Sequence, residues 1–190
     1  TWESWSACIE DDPRDAWASL LADRLPAGAR VLELGCGGGT RETAFLASRF
    51  ELTGIDLSLR QLERARRRVP GATFVHADLT SLVQEPGTFD AVASFYVFNH
   101  VPRELLAPLL GRIREWLRSP GWLLAAFGTV DEESWTGDFL GAPTFFSSFP
   151  PAMNSALARD AGFAIEQDEV VSITEPEGPV AFQWILAAVA

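Results

Sequence analysis

The chain has 190 residues, 47% hydrophobic and 22% charged, enough for one globular domain with its own core. A formal net charge of −11 is the wrong sign for neutralising phosphates and argues against nucleic acid as a partner. No apolar run approaches the ~18 residues of a membrane span, and two cysteines, Cys8 and Cys36, are too few for a disulfide scaffold or a zinc site.

Residues 1–12 are acidic, carry Trp2 and Trp5, and lack the basic start and apolar stretch of a signal peptide, so a cytoplasmic location is expected. Asp12-Pro13 reads as a helix start, followed by Trp17, Leu20, Leu21 and Leu25 at helical spacing and ended by Pro26-Ala27-Gly28. Residues 1–28 thus read as a helical segment and a candidate lid. Residues 30–34 form a short apolar strand, residues 35–39 a glycine-rich turn, and Thr40 caps a helix to about Phe50. A second strand covers residues 52–55. Ser58 and Gln61 make a candidate capping box for the next helix. Its basic residues Arg60, Arg64, Arg66, Arg67 and Arg68 lie mostly toward its end, and read as a solvated face favoured by the helix dipole.

A third strand is predicted at residues 73–75 and a fourth at 89–95, apolar on both faces as in a covered parallel sheet. Pro102 opens an amphipathic helix with Leu105, Leu106, Leu109, Leu110, Ile113 and Leu117. Ser119-Pro120-Gly121 reads as a turn before a fifth strand at 122–127. Residues 128–162 then break the alternation: an irregular, aromatic, Gly/Ser/Thr-rich stretch, followed by a helix over 151–161. Two closing strands, 164–173 and 180–189, joined by Glu175-Pro176-Glu177-Gly178-Pro179, suit an antiparallel pair. The expected fold is one α/β domain over residues 1–190. It has a single doubly wound seven-stranded sheet, mostly parallel with an antiparallel last strand.

The strongest motif is Glu33-Leu34-Gly35-Cys36-Gly37-Gly38-Gly39-Thr40, after a strand and before a helix. Glycines there let the backbone turn tightly and approach a ligand without Cβ clashes. Asp56 ends the second strand, where an acid can accept hydrogen bonds from both ribose hydroxyls. Asp78 follows the third, where an acid can accept from an adenine amino group. Each aspartate alone reads as a cap or a surface acid. All three features in register on successive strands point to a nucleoside-type site. A nicotinamide dinucleotide fits less well, since Thr40 stands where its fingerprint wants a sixth-position Gly and Asp78 would have no purpose. A phosphate-binding loop would need Lys-Ser or Lys-Thr, which is absent.

On these residues the chain resembles the class I S-adenosylmethionine (SAM) dependent methyltransferase family. Glu33, Gly35, Gly37 and Gly39 match its first motif, Asp56 its ribose acid, and Asp78-Leu79 its adenine pair. Residues 89–94, ending at Ser94, resemble its fourth motif, and residues 120–124 its lead into strand five. The resemblance implies that Glu33 and the backbone of Gly35, Cys36, Gly37 and Gly39 hold the methionine end of SAM, with Ser94 at the same edge. It implies that Leu57 and Leu79 flank the adenine, and that S-adenosylhomocysteine (SAH) is the product. A SAM-binding protein that transfers no methyl group, or serves as a partner subunit, shares the same motifs.

After strand four the chain runs Ser94-Phe95-Tyr96-Val97-Phe98-Asn99-His100-Val101-Pro102. It lacks the Asn/Asp-Pro-Pro-aromatic run of DNA amino methyltransferases and the Pro-Cys of the cytosine-C5 enzymes. It also lacks the Asp of the metal-dependent catechol type, so no metal is expected. What remains is transfer to oxygen, nitrogen or carbon of a small molecule, by in-line positioning and by base assistance where the acceptor carries a proton. His100 is the first candidate base and Tyr96 the second, though His100 reads first as a cap of the helix at Pro102. Trp135, Phe139, Phe145 and Phe146 are candidate contacts to an apolar or aromatic acceptor, or plain core.

Overall fold

The alternation of strands and helices is realised in a computed structural model that describes Ile9 and residues 11–189. In chain order these are α1 (Arg14–Ala22), β1 (Arg30–Leu34), α2 (Arg41–Ala47), β2 (Glu51–Asp56), α3 (Leu59–Arg68), β3 (Thr73–His76) and β4 (Phe89–Ser94). A short 3-10 turn (Phe98–His100) precedes α4 (Arg103–Trp116) and β5 (Leu117–Gly128). Then come β6 (Glu132–Phe139), β7 (Ala142–Ser148), α5 (Pro151–Asp160), β8 (Phe163–Glu175) and β9 (Gly178–Val189). Trp2, Trp5 and Cys8 lie outside the described residues.

The seven-stranded sheet has the order β3-β2-β1-β4-β5-β9-β8. Its first five members pair in parallel, and β9 runs antiparallel to both β5 and β8. The strand order reverses at β1, which lies between β2 and β4, and the carboxyl ends there form the crevice where such sheets bind ligands. Strand alternation sets which residues reach which helix layer. Leu32 and Leu34 face the layer containing Leu109 and Ile113 of α4. Val31 faces Trp17, Leu21 and Leu46 from α1 and α2, and Glu33, two residues on, shares that face.

Two expectations give way. Ser119-Pro120-Gly121 is not a turn but part of β5, absorbed where the register against β4 shifts between Phe89 and Ala91. The stretch after Gly128 is not irregular: β6 and β7 form an antiparallel hairpin with its own register, Trp135 opposite Phe146 and Phe139 opposite Ala142. Its two-residue connection, Leu140-Gly141, has positive φ at both positions (56° and 82°), the backbone of a primed turn. Leu140 is a rare residue for that conformation, so the turn carries no familiar sequence signal.

The hairpin is pinned at its base. Asn154 Nδ2 lies 2.9 Å from the Gly128 carbonyl, 3.2 Å from the Phe149 carbonyl and 3.0 Å from Gln183 Oε1. Gln183 Nε2 in turn donates to Asp168 Oδ1 at 2.6 Å, joining α5 to the β8–β9 pair.

Candidate functional site

The loop between β1 and α2 takes positive φ at Gly35 (+70°), Gly37 (+53°) and Gly39 (+76°). Two of the three are also sterically required: a Cβ on Gly35 would lie 2.3 Å from Val97 Cγ2, and one on Gly39 3.0 Å from the Ala65 backbone. A Cβ on Gly37 would meet nothing within 4 Å, so the loop is open on that side. Cys36 donates its backbone N–H to Ile55 O at 2.9 Å. Its side chain turns away, buried with Leu62, Ala65 and Phe74, where burial pushes the thiol pKa up. Cys36 therefore offers backbone only. Thr40 caps α2 in a reciprocal box with Thr43, whereas Ser58 accepts from Gln61 N.

Asp56, at the end of β2, anchors this loop: Oδ2 accepts from Gly37 N at 2.9 Å and Oδ1 from Ser58 N at 2.8 Å. Leu57 beside it is 69% exposed. Asp78, just beyond β3, accepts from Thr80 N and Oγ1 at 2.8 and 2.7 Å, and Leu79 packs partly against the core. His76 Nε2 lies 2.9 Å from Leu57 O and ties the two edges together, a link that nothing in the sequence pattern signals.

Glu33 is buried. Its Oε1 accepts from Thr43 Oγ1 at 2.9 Å, and its Oε2 has no partner among the described residues. Burial first, and then the charges of Glu42 and Asp56, push its pKa up to about 8 against the help of Thr43 and Arg14. Arg14, on α1, is paired with Asp12 at 2.6 Å and Glu42 at 3.6 Å, and stacks 5.5 Å over the Tyr96 ring. Sequence reasoning missed Arg14 and Thr43 because the groups they reach at the site, Glu42 and Tyr96 for Arg14 and Glu33 for Thr43, come from other elements. Ser94, at the end of β4, is also buried with an unpartnered hydroxyl.

Tyr96 follows at φ +57°, its ring against Phe182 and Trp184 and its hydroxyl donating to Asp12 Oδ1 at 3.1 Å. Burial and Asp12 push the phenol pKa upward, so Tyr96 keeps its proton and is poorly suited to act as a base. His100 does not cap α4, whose N-cap, Pro102, receives no side-chain bond. Its Nδ1 lies instead 3.0 Å from Phe145 O, and its ring packs 4.7 Å from Phe146. Burial against these neighbours lowers its pKa. Trp135 and Phe139 join Phe146 at centroid distances of 5.4 and 5.7 Å. Phe145, one residue along β7, has its side chain on the opposite face of the hairpin. Among the described residues no group of three or more His, Cys, Asp or Glu could hold a metal ion, and no helix is long and apolar enough to cross a membrane.

Residues 31–121 match the family model of a methyltransferase domain. The trans-aconitate 2-methyltransferase of Methylobacterium nodulans is 40% identical over 119 residues, 60% of this chain and 44% of that protein. That of Paracidovorax citrulli is 43% identical over 82 residues, 40% of this chain and 31% of that protein. The chain thus spans less than half the length of these two relatives. A ubiquinone biosynthesis O-methyltransferase of Thiobacillus denitrificans is 27% identical over 164 residues, 78% of this chain and 69% of that protein. Among solved structures, a SAM-dependent methyltransferase of Methanosarcina mazei superposes with a TM-score of 0.78 at 18% identity, over 89% of this chain and 96% of that one. The 1,6-didemethyltoxoflavin-N1-methyltransferase of Burkholderia thailandensis, bound to its acceptor and SAH, does so at 0.76 and 20%, over 95% and 80%. At these identities the structural likeness speaks for the fold.

Proposed function

We propose that the chain, which matches a methyltransferase-domain model over residues 31–121, is a class I SAM-dependent methyltransferase that moves a methyl group from SAM to oxygen, nitrogen or carbon of a small molecule. The observation that carries this reading is the buried carboxylate of Glu33, with one oxygen unpartnered beneath a glycine loop that is open at Gly37. An unpaired buried carboxylate oxygen is costly, and the ammonium group of a methionine moiety supplies the N–H donors and positive charge it lacks. SAM fits the acceptor present, and it brings a methyl group on a positively charged sulfur.

In this reading Glu33 and the backbone of Gly35, Cys36, Gly37 and Gly39 hold the amino-acid end. Asp56 holds the ribose, and Asp78 with Leu57 and Leu79 the adenine. Ser94 lies at the same sheet edge. Residues 1–28, of which 1–8 and 10 lie outside the described residues, are the candidate lid, and residues 128–162 form the acceptor side. There Trp135, Phe139 and Phe146 suit an apolar or aromatic acceptor, while the Phe145 side chain is set apart from them. The relatives are named for trans-aconitate, ubiquinone biosynthesis and 1,6-didemethyltoxoflavin, which supports a small acceptor.

Calorimetric titration with SAH tests the cofactor half. Incubation with methyl-labelled SAM and a panel of small acceptors tests the transfer. No binding of SAH at millimolar concentration would remove the reading.

A further inference from the structure

His100 is held in an unusual way for a residue beyond a strand end. A carbonyl oxygen can only accept, so the 3.0 Å contact of Nδ1 with Phe145 O places the ring proton on Nδ1. The neutral ring then carries its lone pair on Nε2. The same β7 segment supplies the Phe146 ring, against which the imidazole packs. Trp135, 45% exposed, and Phe139 extend that aromatic surface from β6.

The charges around this end of the sheet narrow the ligand. Two arginines are committed to internal partners: Arg14, which stacks over Tyr96, to Asp12 and Glu42, and Arg103, just after the 3-10 turn, to Asp131 and the Ser148 carbonyl. With a formal net charge of −11 and these cations engaged, a polycarboxylate finds little here to pair with.

We propose that the β6–β7 hairpin fixes His100 as the proton acceptor for a neutral, planar aromatic substrate bearing an acidic O–H or N–H, with Trp135, Phe139 and Phe146 as its platform. This rests on the methyl-transfer reading above. The acceptor heteroatom forms its bond to the methyl carbon, the carbon–sulfur electron pair stays on sulfur, and the proton released from the heteroatom passes to His100 Nε2. Phe145 is a positioning residue through its carbonyl alone.

Nitrogen-15 NMR of the imidazoles tests this without turnover. The chain has only two histidines, so His76→Gln leaves the His100 signals assigned. The expected result in the free protein at neutral pH is a protonated Nδ1 and a bare Nε2. In the presence of saturating SAH, 2-naphthol or 7-hydroxycoumarin should shift the Nε2 resonance, and trans-aconitate should not. Trp135→Ala should keep the tautomer and weaken the phenol-dependent shift at least fivefold in apparent affinity. A proton on Nε2, no shift with either phenol, or a shift with trans-aconitate alone would each overturn the proposal. SAH binding is read separately by calorimetry, so failure of the methyl-transfer reading shows as lost SAH binding with the tautomer unchanged.

Discussion

Among the described residues the Glu33 carboxyl group receives one hydrogen bond, from Thr43 Oγ1 at 2.9 Å, and buries its other oxygen with no partner. Its pKa is raised from the ordinary 4.5 to about 8, so folding takes up a proton. A raised folded-state pKa gives stability that is full below the unfolded value and lost as pH climbs through the folded one. The ligand-free protein should therefore melt at progressively lower temperature from about pH 5 to about pH 8. Glu33→Gln should flatten that slope, melt above the wild type at alkaline pH, and bind SAH at least ~10-fold more weakly. Thermal melts across pH, paired with calorimetry, check both; a variant less stable than wild type at alkaline pH would contradict the account.

Asp56 orients the loop through Gly37 N and Ser58 N, and in the proposed reading it also serves the ligand. Asp56→Ala should cost SAH affinity by ~10-fold or more, since hydrogen bonds to a charged group contribute roughly 1.5–3 kcal/mol. Asp56→Asn, which keeps an acceptor, should recover part of the loss. Equal affinity of wild type and Asp56→Ala by titration would take Asp56 out of the site.

The glycines separate packing from binding. Gly35→Ala places a Cβ 2.3 Å from Val97 and strains a left-handed residue, so a melting drop of several degrees is expected. Gly37→Ala meets open space and carries only the left-handed strain, roughly 1–2 kcal/mol. It should stay folded by circular dichroism yet bind SAH more weakly. The reverse order of stabilities would mean the loop is arranged otherwise.

Why these parts were readable is physical. The glycine loop, Asp56 and Asp78 sit at ends of successive strands whose apolar runs are short and bounded, so local sequence locates them. The hairpin was opaque because Leu140 occupies a left-handed turn position and because aromatic residues fall on both of its faces. Cys36 reads as part of the loop, and only packing against Leu62 and Phe74 shows its side chain leaving it. Arg14 and Asp12 reach the site by contacts with Glu42 and Tyr96, distant in sequence, which no local pattern encodes.

For a protonated acceptor, His100→Gln should lower the rate by ~10²-fold, with SAH affinity little changed. The lowered imidazole pKa favours the neutral wild-type ring. Activity should therefore fall on the acid side of the profile, and Gln should abolish that limb. Full turnover with an unchanged profile would leave positioning as the sole contribution.

Asn154 is buried and holds two carbonyls and the Gln183 amide. Asn154→Leu should leave these groups short of a donor, costing about 1–3 kcal/mol, or ~2–12 °C in melting temperature. An unchanged melt would show the clasp to be dispensable.

The same clasp has an architectural outcome. A single amide nitrogen reaches the carbonyls of both Gly128 and Phe149, so the chain departs from the sheet and returns to it at neighbouring points. Everything between is an excursion whose ends are already closed, and lengthening or shortening it changes closure entropy only slowly. Residues 129–148 should therefore tolerate exchange as a unit, with loss of their bonds to His100 and Arg103. A foreign hairpin grafted between Gly128 and Phe149 should leave the register of the seven-stranded sheet unchanged and, in the proposed methyl-transfer reading, should alter which acceptors are taken.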